Sequence, residues 1–501
     1  MAIAVALVGL VALLALRLPN HRIPIINVDE ADFIVEANVL LDGGRPYVDF
    51  VEKKPPLLYL LYAGGMSLVG RYHLPALRLL LIPWLLLTAG FVSLIARRIY
   101  GERQALLALP LYAVAVSVGP PLDMHAVNAE SLFLLPLALG TWLALGQRPL
   151  RFIAAGVVLA CAALIKQQAG MQLPIVVAFL ILQLRGPARW KAPLALFGGF
   201  FATCLIAVAV LVAIGSWGEF IYWTVTVNGY YIHHGNSFGD GVRLMVRALL
   251  VLIGASPALW LFGLGGLALA LRRVTRAGSA LPLLWFCGSC LPLSLGGRFF
   301  PHYFLQLFPP LVLLAATAAV ELWDATARWR RARMSALAVV VVVLIGWPAA
   351  RWTRAGMDVE RVSIPHAVPA ARELAAYIQH ETAPDARILV WGYGSAIYYL
   401  SERRPATRFP YVTYLGGAVE GTPSWWNPFV RSHPLEIPRA WDLFMEDLAR
   451  HPPELVVDTA KARYFAFWKF PPSLYPRLQS YLDQGYDRTE VAGFPVWRRR
   501  H

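Results

Sequence analysis

Acidic residues are scarce in this chain of 501: 30 Asp and Glu stand against 45 Lys and Arg, and charged residues of both signs make up 15% of it. So little charge excludes a disordered or strongly acidic protein. Cysteine is scarcer still, with four, and Cys161, Cys204, Cys287 and Cys290 all fall in apolar stretches. They offer no disulfide framework, and Cys287-x-x-Cys290, with no histidine nearby, reads as two small core residues rather than a metal or redox pair. The net charge of +15 comes without any nucleic-acid-binding pattern. Its cations are spread over short loops and the C-terminal WRRRH, where they suit topology signals and contact with anionic membrane lipids.

Hydrocarbon is what the chain has in excess, at 58% hydrophobic residues. Apolar runs of about 17–25 residues recur as far as position 350, each long enough to cross a bilayer as a helix. They fall near 1–17, 78–96, 104–119, 131–146, 152–165, 171–184, 192–214, 243–271, 280–296, 304–322 and 334–350, about eleven spans. The run at 55–70 is apolar as well, but counting it as a crossing would put the basic 97–103 loop on the wrong side; it reads as a juxtamembrane or re-entrant helix. The first run lacks a basic start and an obvious cleavage site, so it reads as a span rather than a cleaved signal. Beyond Arg351 the chain is charged and proline-rich, as a water-soluble domain would be. The expected architecture is a polytopic α-helical membrane domain at 1–350 with juxtamembrane helices, followed by a small α/β extracytoplasmic domain at 351–501.

The loops 97–103, 147–151, 185–191, 272–276 and 328–333 are short, basic and nearly free of acid, so by the positive-inside rule they are cytoplasmic. The polar chemistry then collects on the outer face, as in an integral protein of a bacterial inner membrane whose site and C-terminal domain are periplasmic. The first outer loop sets Asp29 and Glu30 near Lys53-Lys54-Pro-Pro. Carboxylates at a bilayer surface are costly unless they have a task, and a lysine pair beside them suits an anionic headgroup; the plain alternative is a solvated loop. Lys53 reads as a solvated neighbour of Lys54.

In PPLDMHAVNAESLF, Asp123 and His125 lie at a membrane exit, and Glu130 opens the next helix, where it also complements the helix dipole. Lys166-Gln167-Gln168 ends a span with unusual polarity, fit to touch sugar or phosphate or simply to snorkel. The stretch GEFIYWTVTVNGYYIHHGNSFGDG, with Tyr230 and His233, has the aromatic and amide mixture of carbohydrate sites and of interfacial belts alike. Arg298, with His302 and Tyr303 close by, marks an outer span end, as a phosphate contact or an interfacial anchor.

The acidic pair, the turn Gly44-x-Pro46-Tyr47, the run Lys54-Pro55-Pro56-Leu57, the second acidic loop and the soluble C-terminal domain together resemble the GT-C superfamily. The similarity is to the bacterial branch that resembles protein O-mannosyltransferases and the lipid A aminoarabinose transferase. It covers the membrane part in order and spacing and is weaker in the C-terminal domain. The resemblance implies an enzyme that transfers a sugar from a polyprenyl-phosphate-linked donor to a lipid, glycan or protein acceptor on the outer face.

Inverting transfer needs a base to take the acceptor hydroxyl's proton, and a carboxylate at the interface suits that task. Asp29, which resembles the family's first-loop catalytic acid, is the first candidate and Glu30 the alternative. Asp123 resembles the second acidic position, which binds a divalent cation or positions the acceptor. Lys54, with Lys53, Arg298, His302 and Tyr303, is expected at the donor phosphate, where cations stabilise the leaving charge. Tyr47, His125, Glu130, Lys166, Gln167, Tyr230 and His233 are expected to contact substrate. No oligosaccharyltransferase acceptor signature is present, which argues against asparagine glycosylation. A lipid-linked glycan flippase would need polar groups at midspan and repeat symmetry, and a polymerase or ligase would rely on arginines and a large outer loop.

The C-terminal region alternates helix and strand. The runs RILVWG and PPELVVDT read as buried strands, the second preceded by the helix AWDLFMEDLAR. Gly392-x-Gly394 lacks the third glycine of a nucleotide loop. The domain is expected to cover the cavity or bind part of the acceptor.

Overall fold

The computed structural model describes residues 2–273, 277–357, 369–416, 419, 421–427, 437–460 and 468–500. Residues 274–276 of the fourth basic loop and His501 of the C-terminal basic run lie outside them. The fold is mostly helical, with one small sheet near the C-terminus. Its contacts group the chain into two compact units, one of residues 1–22, 76–210 and 241–362, the other of 23–75, 211–240 and 363–501.

The first unit carries the long apolar helices. Among the described residues, Ile3–Arg22, Leu74–Ile99, Ala188–Ala213, Ser279–Gly297, Pro301–Ala325 and Met334–Met357 are long and apolar enough to cross a membrane, which makes this an integral membrane protein. Shorter apolar helices occupy Ala129–Ala144, Pro149–Ile165 and Gln167–Gln183. The expected single crossing at 243–271 is instead two helices, Phe238–Ala255 and Pro257–Arg272, bent by 108°. The break has a local cause: Ser256 leaves helical geometry at φ −134°, ψ 59°, and Pro257 has no N–H to continue the ladder. Helix pairs in this unit approach closely where side chains vanish. A Cβ on Gly156 would lie 2.1 Å from the carbonyl of Leu196, and one on Gly199 2.1 Å from that of Ile153, the small-residue contact expected of membrane helices.

The second unit holds the sheet together with residues 23–75 and 211–240. Five strands, β1 (Arg387–Trp391), β2 (Arg404–Pro405), β3 (Leu455–Asp458), β4 (Tyr486–Val491) and β5 (Phe494–Arg499), order as β2-β1-β3-β5-β4. β1 pairs in parallel with β2 and β3, whereas β5 runs antiparallel to β3 and β4. β1 and β3 are the two strands expected from sequence, and the Ala440–Arg450 helix precedes β3 as expected. Gly392 ends β1 because a Cβ there would meet Thr459 Oγ1 at 1.9 Å, so the glycine serves strand packing. Trp497 to Arg499 belong to β5, Arg498 pairs with Glu381 at 2.7 Å and Arg500 with Asp487 at 2.8 Å.

The segment 23–75 folds onto this layer. The backbone N–H of Val51 donates to the Arg408 carbonyl at 2.9 Å, the Ser395 hydroxyl donates to Asp32, and the Leu74 N–H donates to the Tyr399 hydroxyl at 3.3 Å. The 55–70 run is the helix Leu57–Val69, in the second unit.

Candidate active site

The acidic pair opens the helix Val28–Leu41 and divides by position. Asn27 is the N-cap: its side chain accepts the N–H of Asp29 at 3.0 Å, and the Glu30 carboxylate reaches back to the cap backbone and to the N–H of Ile26 at 3.2 Å. That reciprocal arrangement is a capping box, which satisfies N–H groups that have no partner in a helix's first turn. Glu30 is fully buried in this role. Asp29, one residue earlier, is half-buried, and its carboxylate makes no hydrogen bond or ion pair among the described residues.

A second carboxylate, not singled out from sequence, organises the lysine pair. Glu52 accepts the backbone N–H of Lys53 at 2.6 Å and the hydroxyl of Tyr411, and lies 3.4 Å from Lys54 Nζ. Burial works against its ionisation, but Lys54 and Lys53, with the Tyr411 hydroxyl, outweigh that and hold the carboxyl below the usual range. Lys54 Nζ also lies 4.7 Å from the centroid of Phe33. Lys53 differs from the expected solvated neighbour: it is 7% exposed, with its ammonium 4.0 Å above Tyr231. The turn before the lysines is fixed by Tyr47, which takes the left-handed conformation at φ 67° and donates its hydroxyl to the Lys54 carbonyl at 2.8 Å.

Glu36, two helical turns on from Asp29, is 0% exposed, and neither carboxyl oxygen has a partner among the described residues. Burial, then Glu52 and Asp32, pushes it well above the carboxylate range, against the pull of Lys54. Its environment thus favours the protonated form, whereas that of Glu52 favours the ionised one. Of the aromatic loop, Asn228 donates to the Lys53 carbonyl at 3.0 Å, whereas Tyr230 and His233 are exposed.

In the first unit the structure joins several residues read separately. Lys166 pairs with Glu130 and stands 4.3 Å from the Tyr303 ring centroid. Asp123 accepts the His302 backbone N–H at 3.1 Å and contacts its Nδ1 at 2.7 Å. Arg298 is 3% exposed and Gln167 is exposed. His125 is engaged at both ring nitrogens, by Asn20 at 2.6 Å and the Ser117 carbonyl at 2.9 Å, and Arg17 donates to the carbonyls of Val116, Met124 and His125. His125 thus fixes the second acidic loop and has no ring nitrogen free for substrate. A lone arginine closing an apolar first helix was the sequence signal for this lock. Among the described residues no group of three or more His, Cys, Asp or Glu converges as a metal site.

The fold is that of the GT-C membrane glycosyltransferases. Residues 53–213 match the dolichyl-phosphate-mannose-protein mannosyltransferase family, and no curated protein matches by sequence. In structure the chain is similar to the archaeal oligosaccharyltransferase AglB from Archaeoglobus fulgidus, in complex with an inhibitory peptide and a dolichol-phosphate: TM-score 0.59 at 14% identity, covering 100% of this chain and 74% of that one. It is also similar to ArnT from Cupriavidus metallidurans in the apo state, with TM-score 0.59 at 17% identity, covering 98% of this chain and 97% of that one. The same ArnT bound to undecaprenyl phosphate matches at TM-score 0.59 and 15% identity.

Proposed function

We propose that the chain is an inverting glycosyltransferase that moves a sugar from a polyprenyl-phosphate-linked donor to a lipid, glycan or protein acceptor on the outer face of a bacterial inner membrane. About eleven spans in 1–350 would anchor it, with 351–501 on the periplasmic side. The observation that carries the reading is the division of the first-loop acids. Glu30 is consumed by its cap, while the Asp29 carboxylate has no hydrogen-bond or ion-pair partner among the described residues, as a base that must reach a substrate hydroxyl requires.

The acceptor oxygen attacks the anomeric carbon, Asp29 takes its proton, and the bond to the lipid phosphate breaks with its electrons on the phosphate oxygen. Lys54, poised by ionised Glu52, stabilises that charge. Arg298, His302 and Tyr303 are retained as candidate contacts of the lipid-linked donor, and Asp123 as a positioning acid. AglB with dolichol-phosphate and ArnT with undecaprenyl phosphate support a lipid phosphate as leaving group. The test is transfer from a labelled polyprenyl-phosphate sugar by the purified protein; uptake of the donor into vesicles without a new glycosidic bond would assign transport instead.

A further inference from the structure

Val35, Asn38, Val39 and Asp42 follow the spacing of one helical face, and they wall a cavity of about 350 Å³ whose other sides include β2 and residues 406–408. It lies wholly within the second unit. Its lining has six arginines against three aspartates, and every aspartate is already engaged. Asp42 binds Arg404 at 3.0 Å and Arg71 at 2.6 Å, Asp49 faces Arg45 at 3.8 Å, and Asp447 holds Arg408 through contacts of 2.7 and 2.8 Å.

Arg387 has no carboxylate partner among the described residues. Its guanidinium donates to the Pro405 carbonyl at 2.9 Å, which leaves the rest of its five N–H donors for another acceptor. Burial, and then the neighbouring Arg404, draws its proton affinity below arginine's usual range, yet a guanidinium stays charged in proteins. Asp42, Asp447 and Asp49 offset Arg404 through space, but none of them pairs with Arg387, so the half-buried guanidinium has counter-charge only at a distance.

Asn38 is an independent sign of a missing ligand. It is 6% exposed and lines the cavity, and among the described residues neither its amide oxygen nor its amide nitrogen has a partner; both atoms are closed to solvent, so a ligand meets them when the side chain turns toward the cavity. Buried polar groups are ordinarily paired. A primary amide both donates and accepts, which matches the hydroxyl groups of a sugar.

We propose that this cavity binds a sugar bearing a phosphate or carboxylate group, the oxyanion on Arg387 and a hydroxyl on Asn38. Its volume suits a ligand of that size. Asp42 caps the far end of the helix that Asp29 opens, so the two lie about 20 Å apart along its axis at 1.5 Å per residue. The inference does not rest on the transfer reaction.

The experiment is calorimetric titration of the full chain in detergent with glucose 6-phosphate, glucuronate, glucose and inorganic phosphate, at low and high salt. Glucose 6-phosphate or glucuronate is expected to bind at least about tenfold more tightly than glucose, with affinity falling as salt rises. Arg387→Ala should weaken that binding by about tenfold or more and Arg387→Lys should restore a part of it. Asn38→Ala should remove the preference for glucose 6-phosphate over inorganic phosphate. Lys54→Ala should leave glucuronate binding and its dependence on Arg387 unchanged, which separates this cavity from a donor-phosphate site. Each titration is read only where the variant's melting temperature matches wild type, with Arg387→Lys standing in for Arg387→Ala if the latter fails to fold. Equal affinity for glucose 6-phosphate and inorganic phosphate in wild type, no binding of either acidic sugar, or wild-type binding by folded Arg387→Ala would overturn the proposal.

Discussion

The carboxylate of Glu30 accepts the backbone N–H of Ile26 at 3.2 Å, closing a reciprocal cap around Asn27. Two adjacent acids that sequence leaves equivalent are thereby given different environments. Glu30→Ala should cost about 1 kcal/mol of stability through the lost cap, read as a lower melting temperature, while donor turnover at a temperature where the variant is folded stays within a few-fold of wild type. A loss of turnover at full folding would make Glu30 the reacting acid.

Lys54 has Glu52 as its ion-pair partner, so it is a positioned charge rather than a loose surface lysine. Lys54→Ala should weaken binding of polyprenyl phosphate by roughly ten- to a hundredfold, the worth of a hydrogen bond to a charged group. Lys54→Arg should keep part of it, since charge survives and geometry changes. Unchanged affinity in Lys54→Ala would remove Lys54 from the donor site.

Glu36 should make stability fall with rising pH. Its folded-state proton affinity is raised above the unfolded value by burial, then by Glu52 and Asp32, so the folded chain holds a proton that the unfolded chain releases. The loss begins near the ordinary carboxylate value and continues until pH reaches the higher folded one. Glu36→Gln, which cannot ionise, should therefore melt above wild type by a margin that grows from pH 5 to pH 8. A constant margin across that range would mean that Glu36 is ionised in the folded protein.

That the chain spans a membrane was legible because a bilayer imposes length and composition together, so long apolar runs suffice. β1 and β3 were legible as short, mostly apolar runs. β2, two residues long, has no pattern to detect. The β4–β5 hairpin was hidden because β4, YDRTEV, is mostly exposed and β5 ends in arginines, which read as a charged tail. Ser256-Pro257 did announce the bend, since proline breaks the ladder, but the apolar run across it suggested one span. At the site, the acidic pair and the lysines were visible. Glu52 looked like one charge among three, and Glu36 stood unnoticed in FIVEANVLL, where an acid inside an apolar helical stretch is itself a signal. Residues that meet through tertiary structure, such as Tyr411 with Glu52, leave no local trace.

Topology is open to direct labelling. In a background with the four cysteines replaced, a cysteine placed in 185–191 should be shielded from an impermeant thiol reagent in intact cells with a permeabilised outer membrane, whereas one in 468–500 should react. The reverse pattern would put the first-loop acids in the cytoplasm.

The central claim is that Asp29 is the base of a glycosyl transfer, and turnover by Asp29→Asn tests it most directly. With a labelled polyprenyl-phosphate-linked sugar and envelope acceptors, transfer should fall by about a hundredfold or more, the usual consequence of losing a general base, while melting temperature and polyprenyl-phosphate affinity stay at wild-type values. Wild-type turnover in a folded Asp29→Asn protein would contradict the account.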